Sequence, residues 1–296
     1  MSKKYLFSET FYSMQGEGFM TGKPSIWLRY FGCSLQCKGF GQSDPTDPST
    51  YVDPLKDINL DAIDKLEDLP ALQHGCDSDY SVSKQFKRFQ HQKTSDEIVE
   101  ELLSKTPNGK FGKNIQLCLT GGEPLLKNAQ QCTLEIIKNL RYRVDEPRMI
   151  TFETNGTRAL EDDLFKFLSE IYSGQILWSV SPKLFTVSGE PNSKAIKPEI
   201  VRRYYNVQGS TGQLKFVCNG TKENWEEIET IIQSYRDVGI DWGVWIMPVG
   251  CNLQGQKGQI HGHLYTDAEI ADMALEREYN VSARVHVYLY NNLFSK

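Results

Sequence analysis

The chain has 296 residues, 39% of them hydrophobic and 24% charged, ordinary values for a globular protein and enough chain to bury a sizeable core. A formal net charge of -5 gives no reason to expect broad attraction to nucleic acid, and no apolar run approaches the ~18 residues needed to cross a bilayer. The opening MSKKYLFSETFYS lacks the long apolar stretch of a secretory signal, and seven cysteines, an odd number, argue against a disulfide framework, so a cytoplasmic setting is expected.

Taken in chain order, apolar strand-like runs end on glycines or polar residues: SIWLRYFG (25–32), NIQLCLTGG (114–122), MITFETNG (149–156), ILWSVSPK (176–183), QLKFVCNG (213–220) and WGVWIMPVG (242–250). Between them lie stretches with apolar residues recurring at three and four, which predict helices over 94–105, 128–141, 160–172, 224–238 and 266–278. A last strand is predicted over ARVHVYLY (283–290). Strand alternating with helix argues for an α/β protein with a parallel sheet, built as one domain over 1–296, with ligands gathered beyond the C-terminal ends of its strands. The polar residues at those ends are Cys33, Thr120–Glu123, Glu153–Asn155, Ser179–Lys183 and Pro248.

Residues 38–75 differ in character, with four prolines, eight acids and three lysines. They predict an inserted excursion from the sheet, with one short amphipathic helix over NLDAIDKLEDL (59–69). The excursion separates Cys33 and Cys37, in GCSLQCKGFGQ, from Cys76 in GCDSDYS; where a third cysteine at short spacing might be expected stands Phe40. Closing so long a loop costs roughly 2.6 kcal/mol more than closing a two-residue one. Thiolate ligation supplies on the order of 10 kcal/mol, so Cys76 remains a competent third ligand. Three thiolates could serve zinc, although four are the rule in a closed zinc site, or an iron–sulfur cluster with one open iron; Cys33 and Cys37 could also be plain buried thiols. The glycines of LTGGEP (119–124) permit close backbone approach to a ligand, and Glu123 offers a carboxylate to an ammonium group. Cys118, Cys132 and Cys218 read as core; Cys251 with His261 and His263 could bind zinc but lacks a fourth ligand; His74, His91, Arg202, Arg203 and the basic QFKRFQHQK (85–93) read as solvated.

CSLQC with a later cysteine, followed in order by TGGEP, ETNGT and SVSPK, resembles the radical S-adenosylmethionine (SAM) superfamily. With FYSMQGEGFMTGKPSIWLRYFGC (11–33), CDSDYS and the closing HVYLYNN, the chain is more closely similar to the 7-carboxy-7-deazaguanine synthase family, outside 38–75 and about 251–265. The resemblance implies a partial (βα) barrel of the radical SAM type with an inserted segment in the cluster loop. It implies a 4Fe-4S cluster on Cys33, Cys37 and Cys76, Mg²⁺ on Ser78, and a SAM pocket lined by Gly75, Cys76, Asp77, Gly122, Glu123, Ser181, Pro182 and Lys183. Met14, Gln15, Gly16, Glu17, Arg29, Thr120 and His286 would hold a pterin, Arg29 by bidentate capture of its carboxylate. The implied reaction is the radical conversion of 6-carboxy-5,6,7,8-tetrahydropterin to 7-carboxy-7-deazaguanine with loss of ammonia, as in queuosine-type 7-deazapurine biosynthesis. An electron donor such as flavodoxin or ferredoxin and a homodimer are implied, with no direct nucleic-acid or membrane partner. Met247 departs from the pattern, standing where the family often has a polar substrate contact. The alternatives are a glycyl-radical activating enzyme, which the QGEG opening disfavours, and a cluster-less relative that binds a pterin or a partner protein.

Overall fold

The structure, a computed structural model, describes residues 2–143, 145–249, 264–290 and 294–295. Among these, one sheet holds β1 Tyr5–Met14, β2 Pro24–Tyr30, β3 His91–Lys93, β4 Gln116–Gly121, β5 Met149–Thr154, β6 Gln175–Val180, β7 Ser210–Cys218, β8 Gly243–Pro248 and β9 Asn280–Val281. Their spatial order is β3-β1-β2-β4-β5-β6-β7-β8-β9. β1 runs antiparallel to β2 and β3, and every pairing from β2 to β9 is parallel. Because β3 and β9 do not pair with each other, the barrel is partial.

The helices are α1 Ser95–Lys105, α2 Lys127–Tyr142, α3 Asp162–Lys166 (continuing as a π turn to Ile171), α4 Phe185–Ser188, α5 Asn192–Ala195, α6 Pro198–Tyr205, α7 Lys222–Asp237, α8 Asp267–Leu275 and α9 Val285–Tyr290. Caps fix their starts: Thr94 with Glu97 and Thr266 with Glu269 form capping boxes, and Thr221 accepts from the Asn224 amide. The helices bury one face on the sheet; that of α2 presents Cys132, Ile136, Ile137 and Leu140, all fully covered. At the sheet centre Phe152, Trp178 and Tyr204 stack at 4.5 and 4.9 Å, contacts worth about 1 kcal/mol each beyond their buried area. No described helix is long and apolar enough to cross a membrane.

Two predicted elements are corrected. The helix expected over 59–69 is a pair of 3₁₀ turns, Leu60–Ala62 and Leu66–Asp68. Only Leu66 of its apolar side finds cover, and the Arg88 guanidinium takes the Leu60 and Ile63 carbonyls that an α-helix would use internally. The strand expected over 283–290 is the helix α9. Alternating burial would have covered Val285, Val287 and Leu289, but only Val287 is buried and Leu289 is exposed. The segment docks by donating the Val285 amide to Gly16 O at 2.9 Å.

The excursion does fold back. Gly75 N donates to Phe40 O at 2.7 Å, and a His74 ring nitrogen lies 2.8 Å from Gly41 O, which corrects the expectation of a solvated His74. Gln42, buried, makes a side-chain ladder with Val52, and Gly39 N reaches Ser188 O at 2.9 Å. These bonds close the base of the loop and return Cys76 to Phe40 and Cys37, with which it packs.

Candidate active site

The C-terminal ends of the parallel strands surround a cavity of about 910 Å³. Cys33 follows β2, and Glu123 N donates to Gly32 O at 2.9 Å, locking the glycine pair after β4 against the cluster loop. A methyl group on Gly122 would lie 2.2 Å from Gly32 O and 2.8 Å from Cys33 Cβ, so this close approach requires glycine. Cys37 takes a left-handed backbone, φ 51°, uncommon for a non-glycine residue and held here by its surroundings. Glu190 supplies much of that hold: its Oε1 accepts from the amides of Gln36 (2.5 Å) and Cys37 (2.8 Å), while Lys194 pairs with Oε2 at 2.9 Å.

Cys33, Cys37 and Cys76 are free thiols on the same cavity. Burial raises all three above the ordinary cysteine value, Cys37 to about 12. Lys183 acts against that rise at each sulfur, and amides of Leu35, Ser34 and Ser78 do so locally. Among the described residues no three His, Cys, Asp or Glu side chains converge as they would on one metal ion. Phe40 is not a vacancy filler of no consequence: its ring packs on the thiols and lies 5.9 Å from Lys183 Nζ.

Opposite the thiols stands a wall of ion pairs. Lys215 on β7, 3% exposed, binds Glu17 Oε2 at 2.6 Å and Glu153 Oε2 at 3.2 Å. Burial alone would push the Lys215 ammonium down, but the two carboxylates hold it well above its usual value. Burial likewise pushes Glu17 up, and Lys215, Arg284 and His286 together hold it well below the carboxylate range. Gln15 Nε2 donates to Glu153 Oε1 at 2.8 Å, and Ser179 Oγ to its other oxygen. Arg29 donates from Nε to Glu9 at 2.8 Å and from Nη1 to Ser78 Oγ at 3.1 Å, so it does not stand open for bidentate capture. Tyr80 and Ser295 also donate to Glu9. His286 packs against Gly16, and burial lowers its pKa.

The cavity gathers most residues singled out from sequence: the three cysteines, Met14, Gln15, Gly16, Glu17, Arg29, Gly75, Asp77, Ser78, Thr120, Gly122, Ser181, Lys183 and His286. Glu123 and Pro182 are not among its lining residues. Glu123 is fully buried, and its carboxylate already accepts from Thr154 Oγ1 (2.6 Å), Asn155 N (2.9 Å) and Leu125 N (3.0 Å). It therefore ties the end of β4 to β5 rather than offering itself to an ammonium group. Met247 lines the cavity as expected. Glu9, Tyr80, Glu153, Lys215 and Arg284 belong to the site but were not singled out as ligand contacts. Two of them carried a signal: Glu153 at a polar strand end, and Lys215, a lysine inside the apolar strand QLKFVC. Cys118, Cys132 and Cys218 are fully buried in the core, as read. Cys251, His261 and His263 lie outside the described residues.

The partial (βα) barrel carries its three rim thiols on the loop after the first parallel strand and the returning excursion, as the resemblance to the radical SAM superfamily implies. Searched against family models, the chain matches none. Its sequence is similar to the 7-carboxy-7-deazaguanine synthase of Halobacterium salinarum, 28% identical over 96% of this chain and 90% of that one. It is similar also to the synthases of that name from Leptospira interrogans, 29% identical over 78% and 77%, and Rhodopirellula baltica, 23% over 97% and 87%. Among solved structures, the fold matches QueE from Escherichia coli with a TM-score of 0.52 at 15% identity, over 95% of this chain and 93% of that one. The chain is thus similar in sequence to 7-carboxy-7-deazaguanine synthases, the resemblance its motifs carry.

Proposed function

We propose that the protein is a radical SAM lyase converting 6-carboxy-5,6,7,8-tetrahydropterin to 7-carboxy-7-deazaguanine with loss of ammonia. The observation that carries this reading is that the thiols of a split cysteine motif and the QGEG wall face one cavity, in a chain similar end to end to synthases of that name. Cys33, Cys37 and Cys76 would hold a 4Fe-4S cluster. Their fit is supported by their shared pocket and the glycine cradle at Gly122. When bound, the cluster and SAM together supply the electron and the carbon radical that remove one hydrogen from the substrate.

The chain's own residues bind, orient and exclude water. Buried thiols resist ionisation, so metal ligation is what would make these three thiolates, with Lys183 offsetting their charge. Gly122 lets the backbone close on the cluster loop, and Ser181 and Lys183, 3.0 Å apart, edge the SAM side. Gln15, Glu17, Thr120 and Lys215 present fixed donors and acceptors to a flat, polar heterocycle. Arg29 and Arg284 supply positive charge for its carboxylate. The hydroxyl of Ser78 is already engaged by the Arg29 guanidinium, so these residues do not fit Mg²⁺ as placed. A homodimer, a flavodoxin- or ferredoxin-type reductant and a cytoplasmic setting complete the reading, each supported by the resemblance to this family.

The test is anaerobic reconstitution with iron and sulfide, followed by incubation with SAM, reductant and 6-carboxytetrahydropterin. Wild type is expected to release 7-carboxy-7-deazaguanine, and Cys76→Ala neither to hold a full cluster nor to form product. SAM cleavage with the pterin left unchanged would assign another substrate.

A further inference from the structure

The insertion does more than separate two ligands. Its returning limb passes over the cavity: Glu67, Leu69, Pro70, Ala71, Leu72 and Gln73 all line it, contiguous with Cys76. Leu69 and Leu72 are half-buried although the limb is not a strand of the sheet. The limb is pinned at both ends. Upstream, Leu66 is buried, Leu69 N donates to Leu66 O at 3.0 Å, and Arg88 takes the carbonyls of Leu60 and Ile63. Downstream, the bonds from His74 and Gly75 to Gly41 and Phe40 close the base. Pro70 restricts the backbone between these anchors. The rest of the excursion, by contrast, is largely exposed and acidic.

We propose that residues 67–73 form a fixed apolar wall that seals the thiol end of the cavity against bulk water, with Leu69 and Leu72 as its working side chains. This rests on the reading of the cavity as a radical SAM site, where a reactive carbon radical must be kept from solvent. The segment that displaces the third cysteine in sequence thereby shields the site which that cysteine completes.

Leu69→Asp/Leu72→Asp in the full chain tests the wall without relying on turnover. In the cluster-free chain, alkylation of Cys33, Cys37 and Cys76 by iodoacetamide is followed by mass spectrometry, with buried Cys118 and Cys132 as internal controls for folding. In the reconstituted chain, iron loss to a chelator is followed by absorbance. The expected result is about tenfold faster alkylation of the three site thiols, with Cys118 and Cys132 unchanged, and iron loss faster by a similar factor. Rates equal to wild type overturn the proposal. If the controls also react, Leu69→Ala/Leu72→Ala, which removes volume but adds no charge, decides between the same two outcomes. In the active enzyme the intact wall is expected to keep 5′-deoxyadenosine formed close to one per product, and the variants to exceed that ratio. A wild type that forms a cluster but makes no 7-carboxy-7-deazaguanine would sink the proposed reaction, while the alkylation rates would still decide the wall.

Discussion

At the scale of single residues, two positions decide whether the cysteine loop is preformed. Gly122 is the first, because its missing side chain is what lets Gly32 and Cys33 approach. Gly122→Ala is expected to cost about 1–3 kcal/mol by overpacking and to displace Cys33, so that reconstituted protein binds well under the wild-type iron while its circular dichroism is unchanged. Glu190 is the second. Its carboxylate gathers the amides of Gln36 and Cys37, and Glu190→Gln, which keeps an acceptor but not the charge, should lose about 1 kcal/mol in denaturant unfolding. Burial pushes the Glu190 carboxyl up, but the Cys37 amide, Lys194 and the Gln36 amide outweigh it and hold its pKa below the ordinary 4.5. A carboxyl depressed on folding contributes its stability in full above the ordinary value and loses it as pH falls through the folded one. The difference between wild type and Glu190→Gln should therefore be constant near neutrality and shrink below the ordinary carboxylate range. Nothing local in GEPNSK marks Glu190, because its partners are backbone amides some 150 residues earlier. Glu123 shows the opposite case: a motif drew attention to it, and tertiary burial gave its carboxylate to the protein's own backbone.

At the scale of elements, β7 carries the charge that makes the wall possible. Lys215→Met leaves Glu17 and Glu153 short of their common partner in a buried site, and should destabilise the protein by about 3–5 kcal/mol. Adding Glu153→Gln should return part of that loss, a coupling read from the melting temperatures of the single and double variants. Helix α9 makes a pH prediction. Its His286 ring is held below the ordinary 6.5 chiefly by burial against Gly16, with Arg284 and Lys215 acting in the same direction and Glu17 and Asp77 opposing. A histidine depressed on folding stabilises fully above that ordinary value and loses the contribution as pH falls through the folded one. The protection factor of the Val285 amide, its exchange corrected for the intrinsic rate at each pH, should thus fall below about pH 6.5, and far less in His286→Gln. The six central parallel strands and the five longer helices were legible because period and punctuation agree at each. The others were not. β1 is covered on both faces and shows little alternation. α9 has a strand's composition but docks through one buried valine, and the short helices α4 to α6 are set by packing between Gly189, Pro191 and Pro198 rather than by an apolar stripe.

At the scale of the whole molecule, one sheet brings the C-terminal ends of its parallel strands β2 and β4 to β9 to a common rim, and the insertion hangs from that rim by a base of a few bonds. Because the base is closed locally and residues 67–73 are pinned separately, the exposed stretch around Asp57, between the Val52 and Leu60 anchors, is free to change length. Doubling such a loop costs only about 0.6 kcal/mol, so about ten Gly-Ser residues inserted after Asp57, far from residues 67–73 in sequence, should leave iron uptake within error of wild type. Gly41→Val should not be so benign: a Cβ there would sit 2.4 Å from Gln73 O and force the base apart, and iron uptake should fall. The distance along the chain between the second and third cysteines is thus no measure of their distance in space. What the fold needs is the clasp formed by Phe40, Gly41, His74 and Gly75, with the strip 67–73 beside it; the exposed stretch around Asp57 is open to being rewritten, extended or exchanged while the third thiol keeps its address.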